Sequence, residues 1–163
     1  VKHRIMAGGA LSLLLTASPG MAEPARPGGA AAALTATLSD GTEIARLPVP
    51  EGGEWCVLWR HSVQGFEVAD CYENRGGRMV LMRSHQPDFA AGLGHIPGRG
   101  RQASDGDGGY WITGIEEPVP GDAYVLRAGS MAVDHRLSAG GATVSLSERA
   151  ARARIRIALE PAT

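Results

Sequence analysis

The chain has 163 residues, of which 44% are hydrophobic and 20% charged, and its formal net charge is −1. That length supports one domain with a real core and is too short for two ordinary ones. A charge this close to zero argues against a nucleic-acid binder, which would normally show a basic face, while 23 Gly and 10 Pro against 5% aromatic residues favour short strands and turns over long helices.

Residues 1–22 have the layout of a secretory signal. Lys2, His3 and Arg4 form a basic start, and Ile5 to Ala17 form an apolar run centred on Leu11, Leu13, Leu14 and Leu15. Pro19 then breaks any helix, and Gly20-Met21-Ala22 offers small residues for cleavage before Glu23. The run is well short of the roughly 20 apolar residues that span a bilayer. The expectation is a periplasmic or otherwise extracytoplasmic protein with no transmembrane span after cleavage. In that compartment Cys56 and Cys71, the only two cysteines, have one intramolecular pairing open to them.

Residues 23–31 read as a flexible leader, and residues 32–160 as a single all-β domain. The candidate strands are 32–38, 42–48, 54–62, 66–73, 78–84, 109–115, 123–128, 131–137, 142–146 and 152–159. Asp40-Gly41, Gly52-Gly53, Asn74 to Gly77, Pro120-Gly121-Asp122, Ala128-Gly129 and Gly140-Gly141 supply turns between them. Ser147 to Arg156 could form a helical turn, but Arg152, Arg154 and Arg156 alternate with Ala153, Ile155 and Ile157, which is the strand period. Short strands at this spacing predict a small antiparallel sandwich or barrel. The longest irregular stretch, about residues 84–108, carries six glycines and at most one short strand, and a loop of that length is functional or mobile.

The segment from Trp55 to Tyr72 reads as a β-hairpin turning at Val63-Gln64. Its register sets Trp55 against Tyr72, Val57 against Asp70, Trp59 against Val68 and His61 against Phe66. On the other face Cys56 meets Cys71, Leu58 meets Ala69 and Arg60 meets Glu67. Directly opposed Cβ atoms lie about 4.5–5.5 Å apart, close enough for a cross-strand disulfide; two buried free thiols are the alternative. Asp70 falls among apolar neighbours and needs a partner, because an unpaired carboxylate is costly to desolvate. Continued through the next turn, the register sets Asp70 opposite Leu81 and makes an Asp70–Arg83 pair the candidate anchor.

No complete catalytic or cofactor motif is present, and no cofactor is expected. His61 and Ser62 point to opposite faces of a strand and form no dyad. His61, His85, His95 and His135 are separated by 24, 10 and 40 positions, which matches no compact zinc pattern. Asp105-Gly106-Asp107-Gly108 lacks the later carboxylates of a calcium loop, and Gly98-Arg99-Gly100 lacks the Lys-Ser/Thr of a phosphate loop.

Several runs together resemble a known bacterial family. They are Trp59-Arg60-His61-Ser62-Val63, the acidic residue Asp70, Phe89-Ala90-Ala91-Gly92-Leu93-Gly94 with Pro97, Gly109-Tyr110-Trp111 before Pro118-Val119-Pro120, and His135-Arg136-Leu137. The family is domain of unknown function eighteen-fifty, and the resemblance covers roughly residues 35–160. It implies a small exported protein encoded beside TRAP-type permeases of the TAXI class. The expected role is that of an accessory or binding protein, with such a permease or its solute receptor as partner. Its recognition surface would involve His61, Asp70, Arg83, His135 and the 84–108 stretch. The competing expectation is a small periplasmic metal-dependent hydrolase in which two or more of the four histidines converge.

Overall fold

The computed structural model describes residues 32–87 and 98–161; the expected signal peptide and leader, the 89–94 glycine motif, His95 and Pro97 lie outside the described residues. Among the described residues eleven strands form two antiparallel sheets. The four-stranded sheet has the order β2 (Glu43–Val49), β1 (Ala32–Leu38), β11 (Arg154–Pro161), β8 (Ala123–Arg127). The seven-stranded sheet runs β10 (Ala142–Ser145), β9 (Arg136–Ala139), β3 (Glu54–Arg60), β4 (Glu67–Arg75), β5 (Arg78–Pro87), β7 (Gly109–Pro118), β6 (Arg101–Ser104). All-β is therefore the fold class.

Alternation along the strands builds the core. Ala45, Leu47 and Val49 of β2, Leu34 and Ala36 of β1, and Ile155, Ile157 and Leu159 of β11 supply one wall. Trp55 and Val57 of β3, Tyr72 of β4, Met79 and Leu81 of β5, and Leu137 and Ala139 of β9 supply the other. Fully burying a Leu or Ile side chain contributes about 1.5–3 kcal/mol, so this interior holds the two sheets together. Pro48 is tolerated within β2 because β2 is an edge strand. A short helix, α1 (Leu146–Ala150), begins where the Ser145 hydroxyl accepts the Glu148 N–H at 3.0 Å.

The β3–β4 hairpin has the expected register at every position from Trp55↔Tyr72 to Arg60↔Glu67. Beyond it the His61 N–H donates to the Phe66 carbonyl at 2.7 Å. Cys56 and Cys71 stand opposite each other with Cα atoms 4.0 Å apart and their sulfurs bonded. The turn to β5 is held by buried Asn74, whose side chain donates to the Val49 carbonyl at 3.0 Å and accepts the Gly77 N–H at 2.9 Å. Gly76 and Gly77 both take positive φ there, +64° and +79°, backbone that glycine adopts without steric penalty.

Three expectations are corrected. Tyr72 pairs with Leu81, but the next pair is Cys71↔Arg83, so Met82 is an extra residue in β5. A bulge of this kind reverses the faces of the side chains that follow. The Tyr72–Leu81 pair is itself two residues from the expected register and would set Arg83 opposite Asp70; with the extra residue Ser84 opposes Asp70, and Arg83 leaves on the other face. The strand expected over 131–137 starts only at Arg136; before it, the Val133 and Asp134 N–H groups both turn back to the Ser130 carbonyl at 2.9 Å. Residues 84–87, expected as the start of an irregular stretch, belong to β5, and the one described strand between Pro87 and β7 is β6.

Candidate functional site

On the face shared with Trp55, the Ser84 hydroxyl donates to Asp70 Oδ1 at 2.5 Å, and Gln86 Nε2 donates in turn to the Ser84 oxygen. Both donors come from β5 at period-two spacing, on the side to which the Met82 bulge turns them. Burial pushes the Asp70 carboxyl above its usual pKa range, with the Ser84 bond and the positive charge of Arg99 opposing it. The Gln86 side-chain oxygen is buried without a hydrogen-bond partner among the described residues. A short polar chain thus ends on a carboxylate held in low-dielectric surroundings, a costly arrangement in an interior.

One same-face step along β4, Tyr72 stacks between Trp55 and Tyr124 of β8, with ring centroids 5.6 Å apart in each pair. A cleft of about 200 Å³ opens at this stack, lined by Tyr72, Leu81, Glu117, Pro118, Val119, Pro120 and Tyr124. Arg99 and Glu117 pair at its rim at 2.8 Å. Burial raises the pKa of Tyr72, and the charge of Asp70 adds to the effect; burial likewise holds Tyr124 well above the ordinary phenol value. The Tyr124 hydroxyl is buried beside its neighbour yet makes no hydrogen bond of standard geometry among the described residues. Both phenols are therefore neutral hydrogen-bonding groups at any physiological pH. The cleft is smaller than the roughly 300–1,000 Å³ of pockets that enclose drug-sized ligands, and it suits one small molecule or one inserted side chain.

The four residues singled out in the sequence do not converge. Arg83 projects from the opposite face, where its guanidinium donates to Glu54 at 3.0 Å and lies 5.6 Å from the Trp111 ring centroid. His61 closes the hairpin turn, its Nδ1 accepting the Gln64 N–H at 3.3 Å. His135 lies at the same end of the hairpin, stacked on Trp59 at 5.8 Å, with Nδ1 accepting the Gly129 N–H at 3.0 Å. The segment before His135 is tied to β3 by the Arg60 N–H, which donates to the Val133 carbonyl at 2.7 Å. The Trp59–Val63 and His135–Leu137 runs, distant in sequence, are thus neighbours around this turn. Only Asp70 of the four enters the polar network beside the cleft.

A further pair was not foreseen. His85 Nε2 meets Asp105 Oδ2 at 2.7 Å, and the imidazole is packed against Phe66 at 4.7 Å and Trp111 at 4.5 Å. Backbone N–H groups of Asp107 and Gly109, together with His85, lower the Asp105 pKa, the Asp107 N–H most of all. A Cβ at position 109 would stand 2.4 Å from the Phe66 ring and 2.5 Å from an Asp105 oxygen, so glycine is required for this close approach. The aromatic spacing of β7 is visible in the sequence; the bulge that brings His85 onto Trp111 is not. Among the described residues no group of three or more His, Cys, Asp or Glu side chains is placed to hold a metal ion. No helix there is long and apolar enough to cross a membrane.

No curated protein and no solved structure matches the chain. A family model described as "Domain of unknown function (DUF1850)" matches residues 56–146, more than half of the chain. That span runs from the bridged Cys56 through Asp70, the β5 bulge and Tyr124 to the first residue of α1, and the chain therefore belongs to the DUF1850 family.

Proposed function

We propose that this protein is an exported accessory or binding module of TRAP-type (TAXI) solute transport, and that the Tyr72–Tyr124 cleft receives a small group from its partner or ligand. One observation carries the choice of site: a carboxylate with a raised pKa, Asp70, bonded by Ser84, stands one same-face step along β4 from Tyr72, which with Tyr124 walls an open cleft. Perturbed groups of this kind concentrate at functional sites. The opposed Cys56–Cys71 pair fits an extracytoplasmic setting, and the transporter link follows from the family resemblance.

The test is recovery of partners from detergent-solubilised native membranes by wild-type protein, Asp70→Asn and Tyr124→Phe, with folding checked by circular dichroism. The wild type is expected to retain a TRAP permease or its solute receptor, and each variant to lose about tenfold, as for removal of a hydrogen bond to a buried charged or polar group. Equal recovery by folded variants removes the cleft from the proposal. Absence of any transporter component removes the transport role.

A further inference from the structure

The outer face of the four-stranded sheet carries a second arrangement, independent of the Asp70 cleft. Along β11, Ile155 and Ile157 enter the core while Arg154 and Arg156 stand exposed. The register sets Arg154 directly opposite Arg127 of β8, and Arg156 between Val125 of β8 and Thr37 of β1. Towards β2 the charges are matched: Arg46 pairs with Glu43 at 2.6 Å and reaches Glu160 at 3.9 Å, and Glu160 pairs with Arg156 at 3.2 Å. The ladder ends there. Among the described residues no carboxylate pairs with Arg154 or Arg127, and the Arg127 Nε donates instead to the Arg152 carbonyl at 3.1 Å.

Like charges directly opposed across two strands destabilise the pairing. An anion shared between them would reverse the sign of that interaction. A groove of about 270 Å³ lies beside Arg154, lined by Thr37, Leu38, Ser39, Val125, Arg154 and Arg156, with Arg127 outside the lining. Guanidinium groups present paired donors that match a carboxylate, and two hydroxyl-bearing residues share the lining. Val125, 54% exposed, and Leu38 give the groove an apolar element that an inorganic ion would leave uncovered.

We propose that this groove binds a small organic acid. Its carboxylate lies between Arg154 and Arg156 with Arg127 adding positive charge, and its short hydrocarbon part covers Val125 and Leu38. A free acid fits the size of the groove, which is smaller than pockets for drug-sized ligands. The protein, labelled with nitrogen-15, is titrated with sodium hexanoate, sodium acetate and sodium chloride at matched ionic strength. Hexanoate is expected to shift the amides of residues 37–39, 125–127 and 154–156, and to bind at least about fivefold more tightly than acetate because of its extra methylenes. Arg154→Gln is expected to weaken hexanoate about tenfold by removing a charged hydrogen-bond donor, and Arg127→Gln to weaken it less by removing a nearby positive charge, both leaving the fold intact. Shifts that chloride reproduces, or hexanoate binding that survives both substitutions, would overturn the proposal. So would binding to phosphatidylglycerol vesicles without any response to hexanoate.

Discussion

His135 accepts the Gly129 N–H through Nδ1, so its proton resides on Nε2 and the ring is neutral in this arrangement. Burial lowers its pKa, and the nearby Asp134 opposes the shift. A histidine whose folded pKa lies below the unfolded value of about 6.5 contributes stability above that value, and loses it as pH falls towards the folded one. Acidification from about pH 7 to about pH 5 is therefore expected to lower the thermal midpoint, and the His135→Gln variant to lack this component. An identical acid slope in the two proteins would show that the Gly129 contact is immaterial. Asp70 illustrates what a sequence conveys at this scale. Its place between Val57 and Val68 announces a buried carboxylate in need of a donor, but the donor, Ser84, depends on an extra residue in the neighbouring strand that no local pattern marks.

The β3–β4 hairpin was legible because three independent signals agree on one register: aromatic residues on one face, opposed cysteines and an Arg60–Glu67 pair. A slip of one residue would break all three. The β4–β5 register had no such redundancy, and Met82 fits a continuous strand as well as a bulge. Residues 131–137 misled for a different reason: Met131, Val133 and His135 alternate with small or polar residues, yet the backbone of Ser130 captures the chain into a turn. Tyr124 was unreadable as a site residue because its neighbour Tyr72 belongs to the other sheet. The cross-link in the hairpin closes a loop of 15 positions. Replacing both cysteines by Ala is expected to cost about 3 kcal/mol by the chain-entropy argument, measured by urea unfolding of oxidised wild type against the double variant. The register should survive, since β4 remains paired with β5 and β3 with β9. An unchanged urea midpoint would mean that the cross-link does not restrain the unfolded chain.

At the scale of the molecule the two sheets differ in how deeply their strands lie. The central strands β1 and β11 have both neighbours in place and fully buried residues at Leu34, Ile155 and Ile157, whereas β6 is a four-residue edge strand with every position exposed. Amide hydrogen exchange is expected to follow this order: β6 amides near local-opening rates, β1 and β11 amides at the rate of global unfolding. Comparable protection in β6 would place it in the cooperative core. Sandwich or barrel was as far as alternation and turn spacing could reach, since which distant segments share a sheet is decided by packing. The pairing of β1 with β11 joins Ala32 to Pro161 and Leu38 to Ile155, segments from opposite ends of the described chain. Such a contact closes a very long loop before it returns any stabilisation, which slows folding. The ladder at the middle of the four-stranded sheet can form only once β11 has been made. During synthesis from the amino end, the backbone edge of β1 that faces β11 therefore stays unpaired until Arg154–Pro161 have been made.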